Sequence, residues 1–273
     1  MTRLCGAWCG YRRAEFEKRK NQKENLMATY NLRFISDSDL FNHVKETVEK
    51  YRFTIDLAEF NKNIIDPVKL TFDAKVYEKS IRDVVESEIL RQLDKSNTNH
   101  IGYFHQNIFK YLGNGWRVPE TGFDVVNNEK KIYVEMKNKH NTMNSSSSQK
   151  TYMRMQSVLI KEPSATCILV EVIATKSQNS KWIISLDGER VENENIRRVS
   201  IDKFYELVTG EPTAFKQLCE KLPTVIEDVV ANIKQKNSVN TVFVELEKIS
   251  PNLLKSLYLL AFKKYQGFEN FSV

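Results

Sequence analysis

The segment that most limits the possible folds is a ten-residue run at positions 165–174, Ala-Thr-Cys-Ile-Leu-Val-Glu-Val-Ile-Ala. Its β-branched residues favour an extended conformation. Its nearly continuous apolar character is typical of a strand that is buried on both faces of a sheet. Such a strand needs a further layer of structure on each side. We therefore expect this segment to lie in the interior of a sheet that helices cover.

The flanking sequence supplies the other elements of this sheet. Strands at 122–128 and 131–138 are predicted to form a hairpin, because turn-forming residues at 127–130 separate them. Two further strands are predicted at 181–187 and 241–247. The segment around Pro67, residues 61–77, is expected to be irregular or partly extended.

Apolar residues at helical spacing predict the remaining elements. The predicted helices lie at 37–51, 80–95, 149–162, 200–210 and 250–267. Asp37 and Ser80 are expected to cap the first two. Residues 100–112 are predicted to form a helix or a half-buried segment, and residues 211–235 one or two helices. The predicted fold class is α/β (α+β), with a mixed central sheet flanked by helices and with helical N- and C-terminal parts. Residues 27–273 are expected to form one domain, and residues 1–26 an appended extension.

The net charge of +6 is distributed unevenly along the chain. Residues 1–26 contain seven of the 41 basic and three of the 35 acidic residues, so the remainder carries only +2. Glu129–Lys161 differs, with seven basic and two acidic residues. A basic stretch among polar side chains favours contact with a phosphate backbone, although an ordinary solvated surface has the same composition.

Several classes of protein are disfavoured by what the sequence lacks. No run approaches the roughly 18 apolar residues of a membrane span, and no signal-peptide pattern is present, so a cytoplasmic protein without a membrane partner is expected. Cys5, Cys9, Cys167 and Cys219 lack zinc-site spacing and are expected to be reduced and mostly buried. No GxxxxGK[ST] motif is present, so ATP-driven translocation is not indicated.

An acidic and a basic side chain lie two residues apart where the second hairpin strand ends. Glu135 and Lys137 project to one face of that strand, and Asp124, near the start of the preceding strand, can meet them across the hairpin. Two carboxylates can hold Mg²⁺, which polarises a phosphoryl group and activates water, while a lysine offsets developing charge. The set fits Mg²⁺-dependent phosphodiester hydrolysis, although the D…ExK spacing alone often arises by chance.

Two further groups could complete this metal site. The backbone carbonyl of Met136 lies between the two side chains. Glu88 is a carboxylate within the apolar stripe of helix 80–95 and could reach the same site. The alternative for Glu88 is an ordinary helix-surface or ion-paired glutamate.

Longer motifs carry a more specific signal. GFDVVNNEKKIYVEMKNKHNTMNSSSS, NKNIIDPVKLTFD, RQLDKSNTNHIGYFHQNIFKYL, EMKNKHNTMNSSSSQKTYMRMQ and IRRVSIDKFYELVTG resemble the type II restriction endonucleases of the PD-(D/E)xK superfamily, in particular those that cut at GGNCC or GGWCC sites. The resemblance covers Met27 to about Val230, and Phe123 stands where the superfamily motif has Pro. It implies a PD-(D/E)xK core, metal-binding acids at Asp124 and Glu135, a catalytic Lys137, and Glu88 as an additional helix acid.

The resemblance also gives a role to the polar sequence after the strand. Asn and Ser bond to phosphate oxygens or base edges, and Lys supplies positive charge. The predicted DNA-binding residues there are Asn138, Lys139, His140, Asn141, Asn144, Ser145, Ser146, Ser147 and Ser148. The alternative for the serines is a flexible low-complexity linker.

A second polar group, around the end of helix 80–95, is also a candidate for DNA contact, since arginine reads guanine through paired acceptors. Its members are Arg91, Gln92, Lys95, Asn97, Asn99, His105, Gln106 and Asn107. Alternatively, these residues are the solvated neighbours of core aromatics. Tyr152 and Gln156, one helical turn apart, could orient Lys137 or touch phosphate, or serve core and surface roles.

The resulting hypothesis is a Mg²⁺-dependent type II site-specific deoxyribonuclease that leaves 5′-phosphate ends on double-stranded DNA. A palindromic target implies a homodimer, and a cognate DNA methyltransferase should protect the host. One alternative is a structure-specific PD-(D/E)xK nuclease of repair or recombination. Others are a non-catalytic DNA-binding module and an interaction protein with a chance motif.

Overall fold

A computed structural model describes residues 29–233, 240–262, 264–266, 268 and 271–273. The predicted extension at residues 1–26 lies outside the described residues. Within the described part, no helix has the length and apolar character needed to cross a membrane. The chain divides into two units by its internal contacts. Among the described residues, the sheet unit comprises 29–45 and His105–Asn232, and the helical unit comprises Glu46–Phe104 and those from Ile233 to Val273.

A mixed six-stranded sheet forms the centre of the sheet unit. The described residues of this unit form the strands of this sheet and of a separate hairpin. In chain order they are β1 (Trp116–Arg117), β2 (Val125–Asn127), β3 (Ile132–Lys139), β4 (Thr166–Ile173), β5 (Asn179–Lys181), β6 (Ile184–Leu186), β7 (Glu189–Val191) and β8 (Ile196–Ser200). The sheet order is β1-β2-β3-β4-β8-β5, while β6 and β7 form a separate hairpin. β3, β4 and β8 run parallel, and the other neighbours pair antiparallel. β4 is therefore an interior strand, as its apolar sequence predicts.

The helices account for most of the remaining described residues. They are α1 (Asp37–Lys50), α2 (Leu57–Asn61), α3 (Pro67–Val76), α4 (Ile81–Asn107), α5 (Ser145–Lys161), α6 (Ile201–Thr209), α7 (Ala214–Asn232), α8 (Val242–Ile249) and α9 (Leu253–Phe262). A 3₁₀ turn at Ile108–Tyr111 follows α4 directly.

Helix α5 covers one face of the sheet. Tyr152 of α5 belongs to the same buried cluster as Cys167 and Leu169 of β4. Because side chains alternate along a strand, Ile168 and Val170 point to the opposite face, where they are also buried. Helix α6 contacts β4 and β8 as well. The predicted mixed sheet flanked by helices is thus confirmed.

The helical unit has a core of its own. Phe60, Leu70, Val85, Leu246 and Leu257 lie in one buried cluster. These residues come from α2, α3, α4, α8 and α9, so elements from two distant parts of the chain build a common core. Burial of such side chains stabilises each by roughly 1.5–3 kcal/mol relative to exposure.

Two predictions of irregular or extended structure are wrong. Residues 67–76 form α3, because Asp66 Oδ1 accepts the amide of Lys69 at 3.0 Å and Pro67 occupies the first turn, where its missing N–H costs nothing. Residues 242–249 form α8 rather than a strand. Val242 and Leu246, four residues apart, are both fully buried, and this helical spacing outweighs the alternation of Val242 and Val244.

Helix α4 also differs from its prediction. It runs without a break through residues 96–99, Ser-Asn-Thr-Asn, which separate the two predicted helices. Asn97 explains part of this continuity. Its Oδ1 accepts the amide of Arg52 at 2.9 Å, so the side chain does not compete for its own backbone.

Smaller differences concern caps, a strand and a thiol. Ser36 caps α1, since its Oγ accepts the amide of Asp39 at 3.1 Å, whereas Asp37 accepts amides from the preceding loop. Ser80 caps α4 as predicted. The strand predicted at 181–187 is divided between β5 and β6. Cys167 is buried as expected, but Cys219 is exposed.

Candidate active site

The β2–β3 hairpin brings two of the predicted acids together. Val125 pairs with Val134, so continuing this antiparallel register by one residue sets Asp124 opposite Glu135. Asp124 Oδ2 accepts the backbone amide of Met136 at 2.7 Å. This bond holds the Asp124 carboxylate against β3, beside Glu135.

Glu135 and Lys137 share the face of β3 that α5 covers. Tyr133, two residues earlier, packs against the buried cluster of α5 and β4, and alternate residues of a strand point the same way. Lys137 Nζ donates to Glu135 Oε1 at 2.8 Å. The Glu135 side chain is 12% exposed and that of Lys137 is 31% exposed, so the pair meets solvent mainly at the lysine.

Helix α5 adds a cation that the sequence did not single out. Arg154 Nη2 donates to Oε2 of Glu135. The guanidinium carbon of Arg154 also lies 4.4 Å from the centre of the Phe123 ring, a favourable cation–π arrangement. Each oxygen of Glu135 therefore accepts a hydrogen bond from a different cation. Membership of the basic stretch was the one signal for Arg154 in the sequence, and it could not place the side chain.

The electrostatics of this pocket favour a cation. Burial raises the pKa of Asp124 above its ordinary value, and the nearby charge of Glu135 acts in the same direction. The Met136 amide and the two cations, Lys137 and Arg154, oppose this shift. Two partly desolvated carboxylates side by side are most stable when positive charge lies between them.

The donor set fits a hard divalent cation. Mg²⁺ prefers oxygen ligands, keeps several waters and is usually bound through one or two carboxylates. Asp124 and Glu135 supply two such groups from adjacent strands. Among the residues that the structure describes, no group of three or more His, Cys, Asp or Glu side chains is arranged to hold a metal. The two acids would therefore share the ion with backbone, water or substrate oxygens.

Comparison with known proteins places the chain in a family. The family model of the Eco47II restriction endonuclease matches residues 32–231, which is more than half of the chain. The chain belongs to the Eco47II restriction endonuclease family. It is 32% identical over 254 residues to the type II restriction enzyme Sau96I of Staphylococcus aureus, covering 84% of this chain and 97% of that protein. It is 34% identical over 213 residues to the type II restriction enzyme Eco47II of Escherichia coli, covering 73% and 88%.

Membership of the Eco47II family confirms the resemblance to type II restriction endonucleases and the enzyme class inferred from the sequence. The family match includes Asp124, Glu135, Lys137 and Arg154. It also includes Glu88, the proposed helix acid. The catalytic and metal-binding roles of these residues stay predictions.

Glu88 lies on α4 in the helical unit of this Eco47II-family chain. Arg91 Nε and Nη2 donate to its two oxygens at 2.6 and 2.7 Å, and Gln92 Nε2 donates to Oε1 at 3.0 Å. Burial raises the pKa of Glu88, but these hydrogen bonds outweigh burial and hold the pKa below its ordinary value. In this conformation Glu88 is the ion-paired carboxylate of the alternative interpretation.

The serine run after β3 is helical, so the flexible-linker alternative is wrong. Residues 145–148 form the first turn of α5, and Asn144 caps it by accepting the amide of Ser147 at 2.9 Å. The exposed candidates for DNA contact in this segment are Lys139, His140, Asn141, Asn144, Ser145, Ser146 and Ser147. Asn138 and Ser148 are half-buried.

The candidates on α4 differ in their exposure. Arg91, Lys95 and Asn99 are exposed, and His105 and Gln106 are half-buried. Gln92 is only 4% exposed, and its amide donates to the carbonyl of Phe60 at 3.1 Å as well as to Glu88. Gln92 thus supports Glu88 and does not present its amide to solvent. Burial lowers the pKa of His105 to about 4, so this imidazole is neutral at pH 7.

Tyr152 and Gln156 have different environments. Tyr152 is fully buried and meets the Trp182 ring edge-on at a centroid distance of 5.4 Å. Its place is in the core between α5 and the sheet. Gln156 is half-buried on the same helix.

Proposed function

We propose that this chain is a type II site-specific deoxyribonuclease. It hydrolyses phosphodiester bonds of double-stranded DNA with Mg²⁺ at a short palindromic GGNCC- or GGWCC-like site and leaves 5′-phosphate ends. The observation that carries the proposal is the position of Asp124 opposite Glu135 with Lys137 on the same strand, in a chain of the Eco47II family. The specific target sequence comes from the resemblance described above.

Asp124 and Glu135 would hold the metal ion. When bound, Mg²⁺ supplies a Lewis acid that polarises the phosphoryl group and lowers the pKa of a coordinated water. The amide of Met136 fixes the Asp124 carboxylate at 2.7 Å, so this ligand is held in place before any ion arrives. Glu88 stays a candidate for an additional metal-binding acid.

Lys137 would orient the attacking water and offset the charge that develops on the phosphate. Its ammonium group already lies 2.8 Å from Glu135 and is about one-third exposed, so water and substrate can reach it. A fixed positive charge at this point stabilises the transition state more than the ground state, because negative charge accumulates there during the reaction.

The segment from Asn138 to Ser148 would hold the DNA beside the cut. It begins at the end of β3, directly after the catalytic lysine, and ends in the first turn of α5. Its exposed hydroxyl, amide and imidazole groups suit phosphate oxygens and base edges. Arg91, Lys95 and Asn99 on α4 are further exposed candidates for contact with DNA.

A palindromic site calls for two active sites related by a two-fold axis. The working form is therefore proposed to be a homodimer, with each subunit cutting one strand. A cognate methyltransferase would protect the host DNA as a genetic partner without forming a stable complex.

The decisive experiment is a digest of unmethylated plasmid of known sequence, with Mg²⁺ and with EDTA. Wild type, Glu135→Gln and the control Glu194→Gln are compared. Glu194 is 76% exposed and pairs with Lys181 of β5, an edge strand that β4 and β8 separate from β3. Discrete fragments that need Mg²⁺, map to GGNCC-type sites and vanish only in Glu135→Gln are expected. A smear would favour the structure-specific nuclease. Binding without cutting would favour the non-catalytic module.

A further inference from the structure

We propose that Arg154 is a further catalytic residue of this site. Without a divalent cation, the Arg154 guanidinium donates to Glu135. Once a cation binds Asp124 and Glu135, the guanidinium moves and donates instead to the scissile phosphate. This inference rests on the proposed nuclease function and adds a residue that the D…ExK pattern does not contain.

The first observation is that each oxygen of the Glu135 carboxylate already accepts a hydrogen bond from a cation. Lys137 Nζ contacts one oxygen at 2.8 Å, and Arg154 Nη2 contacts the other. A cation that binds Glu135 therefore meets positive charge beside both oxygens and competes electrostatically with these two donors. Lys137 lies on the same strand as Glu135, two residues away, whereas Arg154 reaches over from α5.

The second observation is the charge balance of the site. Asp124 and Glu135 carry two negative charges, and Lys137 and Arg154 carry two positive charges, so the group is close to neutral. A divalent cation at the acids would leave an excess of two positive charges. That excess weakens the hold of Glu135 on Arg154 and attracts a phosphodiester.

The third observation is that Arg154 has both room to move and a support. Its side chain is 42% exposed, so solvent and substrate can reach the guanidinium. The Phe123 ring lies 4.4 Å beneath it, and Phe123 immediately precedes Asp124. This stacking keeps the guanidinium beside the acids after it leaves Glu135. A planar guanidinium can then give two parallel hydrogen bonds to a phosphate.

Replacing Arg154 should raise the affinity of the site for a divalent cation and lower the rate of DNA cleavage. Arg154→Gln removes the competitor for Glu135, so the site should bind Mn²⁺ roughly two- to five-fold more tightly, as expected for the loss of a partly exposed ion pair. The same substitution removes a donor to the reacting phosphate, so single-turnover cleavage should slow roughly 100-fold. A purely structural arginine would weaken cation binding and cleavage together.

The test measures both quantities on the full chain. Mn²⁺ binding is followed by the electron paramagnetic resonance signal of the free ion, and cleavage of a plasmid is followed under single-turnover conditions with Mg²⁺. Arg154→Lys keeps the charge without the planar fork, so its Mn²⁺ affinity should stay near that of wild type while its cleavage rate falls between wild type and Arg154→Gln. Lys216→Gln, at an exposed position of α7, is the matched control and should change neither.

Two results would overturn the proposal. Mn²⁺ binding that is unchanged or weaker in Arg154→Gln would show that Arg154 does not compete for Glu135. A wild-type cleavage rate in Arg154→Gln would show that it does not act on the phosphate. Failure of the nuclease function itself looks different. The wild type would then bind Mn²⁺ but cut no DNA, and Asp124→Asn would not bind Mn²⁺.

Discussion

Glu171 and Arg198 form an ion pair, with Oε1 and Nη2 2.6 Å apart, on the sheet face that carries Glu135 and Lys137. Glu171 is in register with Lys137, and Arg198 is in register with Leu169. The Glu171 side chain is 2% exposed, whereas that of Arg198 is 34% exposed. Glu171 Oε2 and Arg198 Nε find no hydrogen-bond partner among the described residues. Glu171 is thus more deeply buried than Asp124 or Glu135, and Arg198 is its one ion-pair partner among the described residues.

Glu171→Gln should therefore destabilise the protein. The substitution leaves the Arg198 charge without its buried partner, and breaking such a pair costs about 3–5 kcal/mol when both groups are buried. Because Arg198 is one-third exposed, we expect a loss of about 1–3 kcal/mol in the free energy of unfolding. Urea denaturation measures this loss.

Matched substitutions in an exposed pair provide the control. Lys181 and Glu192 are 2.8 Å apart, with both side chains more than one-third exposed. Glu192→Gln should change the free energy of unfolding by less than about 1 kcal/mol. A double-mutant cycle with Glu171→Gln and Arg198→Gln should give a clear coupling energy, and the absence of coupling would refute the role assigned to this pair.

Substituting Glu88 can distinguish a role in protein stability from a role in metal binding. Because the pKa of Glu88 is lowered in the folded protein, its ionised form stabilises the fold at pH values above the ordinary glutamate pKa of 4.5. This stabilisation is lost as the pH falls through the lower, folded value. We expect Glu88→Gln to destabilise the protein by about 1 kcal/mol at pH 7 and the difference from wild type to shrink below pH 4.5.

Mn²⁺ titration of the same variant addresses the metal-binding hypothesis. If Glu88 serves only as the partner of Arg91 and Gln92, the Mn²⁺ affinity of Glu88→Gln should equal that of wild type. An affinity that falls as far as in Asp124→Asn would instead establish Glu88 as a metal-binding acid and would remove the purely structural explanation.

The half-buried imidazole of His105 should make the protein sensitive to mild acid. Its folded pKa is lowered to about 4, below the ordinary histidine value of 6.5. The unfolded chain therefore binds a proton first, and stability falls as the pH drops from about 6.5 toward 4. We expect the free energy of unfolding to decrease by on the order of 2 kcal/mol over this range. In His105→Gln, the free energy of unfolding, measured by urea denaturation, should decrease less between pH 7 and pH 5 than in the wild type.

In the sheet unit, the sequence predicted a strand correctly where the pattern of apolar residues matches the residues that are buried in the structure. The apolar run at 165–174 becomes the interior strand β4, and the hairpin that carries Asp124 and Glu135 has the expected strands. Both depend on local periodicity and on short-range pairing, which a sequence displays directly. The adjacency of Asp124 and Glu135 follows from that pairing.

Residues whose role depends on distant partners were not predictable in this way. Val242 and Val244 alternate like a strand, but α8 forms because Val242 and Leu246 pack into a core shared with α2, α3, α4 and α9. Arg154 lies 19 residues from Glu135 in the sequence, and only the packing of α5 on the sheet brings them together. Glu171 appears in the sequence as one acid in an apolar strand, without any sign of Arg198 as its partner.

The last prediction separates helix capping from DNA contact at Asn144. Its side chain accepts the amide of Ser147 at 2.9 Å at the start of α5, and it is exposed beside the candidate DNA-binding serines. Asn144→Ala removes the cap and should cost about 1 kcal/mol of stability. Asn144→Asp keeps a capping oxygen and adds a negative charge that suits the helix N-terminus, so its stability should equal or exceed that of wild type.

The order of the two variants should reverse for DNA affinity: Asn144→Asp, the more stable variant, should bind DNA more weakly than Asn144→Ala. A carboxylate at position 144 repels a phosphate backbone, so Asn144→Asp should bind DNA at least ten-fold more weakly than wild type in Ca²⁺, with a loss that shrinks as salt rises. Asn144→Ala should bind only a few-fold more weakly. Fluorescence anisotropy with a duplex that contains a GGNCC site measures both. Equal binding by Asn144→Asp and wild type would show that the start of α5 does not face the DNA, and would move the interface to the exposed residues of α4.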